Sequence, residues 1–286
     1  MAQVDYKALK KIGLMTQIQK DRFAMRLKVV GGQVTAEQLQ KISEVAKKYG
    51  KGYIHLTSRQ GIEIPFVGLE DIEAVKAELA AGGVSLGTCG PRVRTITACQ
   101  GSTVCPSGLI DTTALAEELD QRFGGREAPH KFKFGITGCR NNCLKAEEND
   151  LGFKGGLQPE WNREACNFCG LCEALCPTDA IKVDKPKKNL EFDEAKCSYC
   201  GKCAKGCPVD AWSGENGYVL YFGGLFGNQI ATARQILPII FEKEKLFAIV
   251  EKTLAFFSKH GRPGERFRHT LDRVGWDLLK QELSQE

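Results

Sequence analysis

Between residues 166 and 208 the chain writes one cysteine pattern twice. The first copy is Cys166-Asn-Phe-Cys169-Gly-Leu-Cys172-Glu-Ala-Leu-Cys176-Pro177 and the second is Cys197-Ser-Tyr-Cys200-Gly-Lys-Cys203-Ala-Lys-Gly-Cys207-Pro208. Nothing else in the sequence restricts the fold as strongly. Four soft thiolates at short fixed spacing must curl around a common centre, and the spacing sets the loop. The chain has 13 cysteines, and twelve fall into three groups of four, which leaves Cys89 over. Clustered cysteines without a secretory context read as metal or redox chemistry rather than disulfides.

The C-x2-C-x2-C-x3-C-P run, in tandem, is the spacing of bacterial two-cluster ferredoxins, where the fourth cysteine of each run serves the other cluster. It assigns Cys166, Cys169, Cys172 and Cys207 to one 4Fe-4S cluster, and Cys197, Cys200, Cys203 and Cys176 to a second. A zinc ribbon needs fewer thiols than these two Cys-Pro-terminated runs supply. Lys185-Pro-Lys-Lys188, between the runs, reads as a solvated loop, with docking of an acidic electron donor as the sharper use. The third group is Cys99, Cys105, Cys139 and Cys143, spaced C-x5-C and C-x3-C on either side of a helical segment. Delivered from two turns, four thiolates suit a third cubane. Cys89 reads as a small buried thiol, or as part of a cofactor pocket.

At 286 residues, with 42% apolar and 26% charged side chains, the chain has the composition of an ordinary globular protein. Its longest apolar runs fall well short of the roughly 20 residues that span a bilayer. The N-terminus lacks the apolar core of a secretory signal, so the expected location is the cytoplasm. The formal charge of +5 does not argue for nucleic acid. Twelve ligating thiolates remove roughly 12 charges and three oxidised clusters return roughly 6, and no basic patch interleaved with aromatics is visible.

Along the chain, residues 1–21 read as a short helix or arm. Phe23-Ala-Met-Arg-Leu-Lys-Val-Val30 alternates as a half-buried strand does, ending at Gly31-Gly32. Thr35 and Gln38 form a capping box for a helix with Leu39, Ile42, Val45 and Ala46 on one face. A second strand sets Ile54 and Leu56 against Tyr53, His55 and Thr57, Arg59-Gln60-Gly61 turns, and Ile62-Glu-Ile64 makes a third. A helix with Ile72, Val75 and Leu79 follows. This order predicts a small antiparallel or mixed sheet with helices on one face. Asp111 or Thr112 caps a helix bearing Leu115, Leu119 and Phe123. Residues 130–137 read as a strand with Lys131 and Lys133 on one face and Phe132 and Phe134 on the other. Tyr218–Phe222 is strand-like, and Gly223 and Gly224 after it would let backbone approach a ligand. Helical regions are expected over 228–259 and 264–282. His55 reads as an exposed residue, and His130, His260 and His269 lack metal-ligand spacing.

These residues together resemble the siroheme-dependent sulfite and nitrite reductases, and within them the ferredoxin-carrying C subunit of anaerobic sulfite reductases. The resemblance runs from about Arg22 onward. It rests on Leu56-Thr-Ser-Arg59-Gln60, Arg94-Thr-Ile-Thr-Ala-Cys99, the Cys99/Cys105 pair, Lys131-Phe-Lys133 and Gly138-Cys139-x3-Cys143. It implies an α+β fold: a ferredoxin-like half-domain and a siroheme domain with an inserted two-cluster ferredoxin. The boundaries it suggests are 1–21 for the arm, 22–90 for the half-domain, 91–158 and 215–286 for the two parts of the siroheme domain, and 159–214 for the insert.

The resemblance further implies that Cys143 bridges its cluster to the siroheme iron. Arg59, Arg94, Lys131 and Lys133 would surround the substrate anion. The implied reaction is six-electron reduction of sulfite to sulfide, with nitrite to ammonia as an alternative. Three 4Fe-4S clusters and siroheme are the implied cofactors. Larger relatives carry two fused copies of the half seen here, so a homodimer or a larger hetero-complex is expected. The electron donor would be a separate ferredoxin or flavoprotein. Rival readings are a polyferredoxin carrier without siroheme and an inactive, merely cofactor-binding protein.

Overall fold

The computed structural model describes residues 4–284, so residues 1–3 of the expected N-terminal arm lie outside the described residues. The rest of that arm does more than lead in. α1 (Tyr6–Lys11), capped by Asp5, is followed by β1 (Leu14–Thr16), which pairs antiparallel with β2 (Arg22–Arg26). α2 (Ala36–Tyr49) carries the Thr35/Gln38 capping box on both arms. After β3 (His55–Leu56) and β4 (Ile62–Gly68), α3 (Ile72–Ala81) closes the first unit. The strands form one antiparallel sheet in the order β1-β2-β4-β3. Phe23, Met25, Ile64 and Val67 of the sheet meet Ile42, Val45, Val75 and Leu79 of the helices. Each such side chain contributes roughly 1.5–3 kcal/mol through burial. Leu56 departs from the alternation read in the sequence: β3 is an edge strand and Leu56 is 70% exposed.

The second sheet has the order β10-β7-β6-β5. β5 (Thr97–Ala98) leads through a loop to α4 (Thr112–Phe123), capped by Asp111, and then to β6 (Phe134–Thr137) and β7 (Leu151–Trp161). β5, β6 and β7 run parallel to one another. Beyond β7 lie α5 (Leu171–Leu175), β8 (Ile181–Asp184), β9 (Asn189–Phe192) and α6 (Lys202–Lys205) before β10 (Trp212–Phe222) returns. β7 and β10 pair antiparallel from Phe222 opposite Leu151 to Trp212 opposite Trp161. Residues 162–211 therefore leave and rejoin the sheet at one rung. They hold their own small core of Trp161, Phe168, Ile181, Leu190, Phe192 and Trp212.

β11 (Leu225–Phe226) and β12 (Ile230–Ala231) make a short hairpin. Residues 228–242 are thus not the helix the sequence suggested; α7 begins only at Lys243 and runs to His260. α8 (Phe267–Val274) and α9 (Trp276–Ser284) are divided at Gly275, whose φ of +99° is one that L side chains resist. These helices cover the second sheet. Phe132 packs within 5.2–5.7 Å of Phe134, Phe257 and Phe267 by ring centroid, with Phe134 against Phe153 at 5.8 Å. No helix among the described residues is long and apolar enough to cross a membrane.

Candidate active site

The buried Phe132 and Phe134 dictate the orientation of their neighbours. Side chains of an extended segment alternate, so seating these rings in the core sends Lys131 and Lys133 to the opposite side. There they line a cavity of about 290 Å³ together with Arg59, Arg94, Arg26, Thr57 and Thr95. The four basic residues picked out in the sequence are thus gathered from two sheets around one space. Arg94 arrives because its segment extends the parallel pairing: its amide donates to Phe132 O at 2.8 Å.

Arg59 arrives from the β3–β4 turn. Thr57 braces that turn, its hydroxyl accepting from Gly61 N at 3.0 Å, while Gln60 takes φ +56°. The Gln60 amide then bonds Ala98 both ways, donating to its carbonyl at 2.8 Å and accepting from its N–H at 3.0 Å. This side chain docks the first sheet on β5 as another strand would. Arg59 donates to Asn149 Oδ1 at 2.9 Å and to the carbonyls of Thr95 and Phe134 at 3.3 and 3.5 Å.

Several cations in a half-enclosed space disfavour one another's charge. Burial, then the charges of Arg59 and Arg266, bring the Lys133 ammonium down to about 8. Burial likewise lowers Lys131, with Arg266 and Arg94 adding to it, and brings Arg59 down to about 10. Beneath them lies Asp150, fully enclosed, accepting from Arg266 Nη2 at 2.9 and 3.1 Å and from Lys133 N at 2.9 Å. Burial pushes this carboxyl upward while Arg266 and the Lys133 amide oppose it. Both oxygens accept, which is the pattern of a carboxylate. Asp150, Arg266 and Asn149 escaped the sequence reading, which took Gln60 only as a turn and motif residue and Arg26 only as part of a strand. The one available signal was the Asn149-Asp150 pair just before β7.

The third cysteine group collects at the C-terminal end of the parallel strands, where such sheets present their ligand sites. Cys99 follows β5 and Cys139 follows β6; Cys99 N donates to Ile136 O at 3.0 Å, and Gly138 N to Cys99 Sγ at 3.1 Å. Burial raises the Cys139 thiol, and Cys105, Cys143 and Cys99 push it the same way, so the four stand within one another's field. Cys143 is the exposed one. Arg140 and Asn142 anchor the loop to Tyr221 and Glu147, and Glu147 also holds the buried Lys154. Among the described residues, no cysteine lines the cation cavity. The chain brings the four cations together around this cavity and the four thiols within one another's field.

In the 162–211 segment the two runs are related by an internal repeat. One small cavity is lined by Cys166, Cys169, Cys172 and Cys207, and another by Cys176, Cys197, Cys200 and Cys203. Phe168 and Tyr199 share φ +56°, and their amides donate to Cys166 and Cys197 Sγ at 3.4 and 3.3 Å. Ala180 and Ala211 amides reach Cys176 and Cys207 Sγ at 3.3 and 3.2 Å. Backbone N–H groups aimed at sulfur suit thiolates that ligate iron. Among the described residues no three His, Cys, Asp or Glu groups converge as a single-ion site; the thiols ring cavities instead. The second run also abuts the third cysteine group, with Lys205 Nζ donating to Pro106 O at 3.2 Å. Tyr199 packs on the cluster containing Tyr221.

Gly223 and Gly224 do not face this space. A Cβ on Gly224 would stand 2.3 Å from the carbonyls of Asn149 and Glu147, and one on Gly223 would meet Trp276 at 2.7 Å. The close approach they allow is to the chain itself.

A family model described as nitrite and sulphite reductase 4Fe-4S domain matches residues 89–286, and one described as nitrite/sulfite reductase ferredoxin-like half domain matches residues 15–82. The coenzyme F420-dependent sulfite reductase of Methanocaldococcus jannaschii is 35% identical over 257 residues, covering 89% of this chain and 41% of that protein. The C subunit of the anaerobic sulfite reductase of Salmonella typhimurium is 31% identical over 54% of this chain and 50% of its own length. The NAD(P)H nitrite reductase large subunit of Klebsiella oxytoca is 35% identical over 54% of this chain and 16% of its own length. The chain therefore spans half or less of these three relatives. Among solved structures, dissimilatory sulfite reductase I superposes with a TM-score of 0.75 at 22% identity, over 93% of this chain and 69% of that one.

Proposed function

The chain belongs to the nitrite and sulphite reductase family, and from that premise we propose that it reduces sulfite to sulfide on siroheme, six electrons per anion. The observation that carries this reading is the convergence of Arg59, Arg94, Lys131 and Lys133 on one cavity. An electron carrier has no use for four cations around an open space. Siroheme, when bound, would supply a redox-active iron for the anion, and the clusters would supply electrons singly.

The donor chemistry fits those groups. Twelve thiols stand in three sets of four, amides point at their sulfurs, and the cation cavity suits an oxyanion or carboxylate arms. Cys99, Cys105, Cys139 and Cys143 would hold the cluster next to siroheme, with Cys143, the exposed one, as the bridging thiolate. Cys166, Cys169, Cys172 and Cys207 would hold one relay cluster, and Cys197, Cys200, Cys203 and Cys176 the other, in a ferredoxin unit over residues 159–214.

The side chains divide the remaining work. Arg59 and Arg94 bind the anion as fixed forked donors. Lys133, brought toward neutral pH by its surroundings, donates protons, and Lys131 holds charge beside it. The overall balance is bisulfite with six electrons and six protons giving hydrosulfide and three waters. The resemblance to relatives with two fused copies of this half supports a centre completed by a second copy or by a different protein of the same complex. Electrons come from a separate ferredoxin or flavoprotein.

Two measurements test this. Acid–acetone extraction of the anaerobically purified protein should give an isobacteriochlorin absorption spectrum, and a spectrum without it leaves only a carrier. A reduced-viologen assay should show sulfite consumption; turnover of nitrite alone, the substrate in the name of one relative, would move the assignment to ammonia formation.

A further inference from the structure

An electron relay needs a way in, and residues 162–211 are not covered evenly. The second cysteine run is fastened to the sheet. Tyr199 O accepts from Leu157 N of β7 at 2.9 Å, Lys205 Nζ donates to Pro106 O at 3.2 Å, and the Tyr199 ring packs on the cluster with Tyr221. The first run meets solvent instead. Cys169 is exposed, and two apolar side chains near it are left uncovered, Leu171 at 41% and Val209 at 37% exposure. Val209 lines the same small cavity as Cys166, Cys169, Cys172 and Cys207.

Beside Cys169 stands the turn of the β8–β9 hairpin. From Lys182 to Lys188 the chain carries four lysines and one aspartate. Asp184 and Asn189 are the last register pair, and Lys188 N closes the turn on Lys185 O at 3.2 Å. Residues 185–188 are all exposed. The turn is tied to the first run at two points. Arg163 Nη2 donates to Lys188 O at 3.2 Å, while the same guanidinium lies 5.7 Å from the centroid of the Phe168 ring. Lys185 lies across Gly170, the residue after Cys169: a Cβ there would stand 2.9 Å from Lys185 Cε and 3.4 Å from its Nζ. Nearby carboxylates do not cancel this charge. Asp184 pairs with Lys187 at 3.2 Å and Glu173 with Lys182 at 3.5 Å, but among the described residues Lys185 and Lys188 have no carboxylate partner. An exposed thiol set in a small apolar patch and rimmed by unpaired ammonium groups suits a brief encounter with an acidic protein, in which charge steers the approach and little area is buried.

We propose that the β8–β9 turn is the docking surface for an acidic ferredoxin, with Lys185 and Lys188 as its unpaired contacts and the cluster of Cys166, Cys169, Cys172 and Cys207 as the point of electron entry. This rests on the reading of those thiols as cluster ligands given above. One electron leaves the reduced carrier and one enters the cluster; no bond is made or broken. The fastened run, with Tyr199 and Lys205, is then the way out toward Cys99, Cys105, Cys139 and Cys143.

The test is anaerobic stopped-flow mixing of the cluster-loaded protein with a reduced, acidic two-iron ferredoxin, whose spectrum is distinct from that of a cubane. Sulfite is left out, and the bleaching of the protein's own clusters is followed. At low salt the double variant Lys185→Glu, Lys188→Glu should take up electrons about tenfold more slowly, and the gap should close as added salt screens the charges. Lys47→Glu with Lys245→Glu makes the same change of charge on α2 and α7 and should stay within about twofold. An unchanged rate in the turn variant overturns the inference, as does an equal loss in the control. Carbodiimide coupling should join ferredoxin carboxylates to Lys185 or Lys188; links confined to other lysines overturn it as well. Reduced methyl viologen, which needs no docking surface, separates the two layers. If the dye bleaches no cubane absorbance in the unsubstituted protein, the cluster reading fails and the docking surface with it. If the dye reduces every variant alike while the ferredoxin is indifferent to Lys185 and Lys188, only the docking surface is lost.

Discussion

Asp150→Asn probes the foundation of the cation cavity. The pair it breaks is enclosed on both sides, with the Asp150 side chain 0% and the Arg266 side chain 10% exposed. Asparagine keeps the shape and can still accept from Lys133 N, so the change is chiefly one of charge. Removing one member of a buried pair strands the other, at a cost of about 3–5 kcal/mol. A chain of this size loses roughly 2 °C of melting temperature per kcal/mol, which gives a fall of roughly 6–10 °C. The same substitution acts on Lys133. Asp150 pulls the Lys133 ammonium upward against burial and its cationic neighbours; without it, Lys133 gives up its proton at a pH below about 8. If Lys133 is the donor, activity is full while it is protonated and fades as pH rises through its pKa. The basic limb of the sulfite-reduction profile should therefore move to lower pH in the variant. The assay pairs a thermal melt with anaerobic dye-linked rates across that limb. An unchanged melt refutes the buried-pair argument, and a limb that stays or moves upward refutes the coupling to Lys133.

Two further outcomes follow from the same geometry. Lys133→Met should slow turnover by about 10²–10⁴, the usual contribution of a positioned proton donor, while Lys133→Arg keeps charge and anion affinity and loses the limb near pH 8; steady-state profiles of both variants check this. Gly224→Ala drives a methyl into two backbone carbonyls and should destabilise by roughly 1–3 kcal/mol. Gly227→Ala, which meets nothing within 4 Å, should stay within about 0.5 kcal/mol in the same denaturant titration.

What could be read in advance was whatever the chain specifies over a few residues. The Thr35 box needs only Gln38, and the helices with Ile42, Val45, Val75 and Leu79 announce themselves by period. Alternation set Lys131 and Lys133 opposite Phe132 and Phe134, although the pattern by itself reads as a solvated face. β7 stayed hidden for the opposite reason: it is buried on both faces over most of its length, so it shows no period, and its glycines argue against a strand. The stretch 228–242 looked helical by composition, yet its backbone bonds go to distant partners, Arg234 N to Phe222 O and Ala233 N to Glu147 O. Asp150 and Arg266 are 116 residues apart, and no local pattern links them. The resemblance supplied Arg59, Arg94, Lys131 and Lys133; it could not supply Asp150 or Arg266 beneath them.

The ladder between β7 and β10 keeps its register until Trp161 faces Trp212, and only then does the intervening segment begin. Its two ends sit one strand spacing apart, so from the sheet's side the whole excursion closes no wider a gap than a tight hairpin turn. Lengthening such a loop adds closure entropy only logarithmically, and the segment's own tryptophan-lined core offsets its ordering locally. A cassette mounted this way can be swapped or excised without re-threading the strands beneath it. The segment and the sheet that carries it are thereby free to diverge at different speeds.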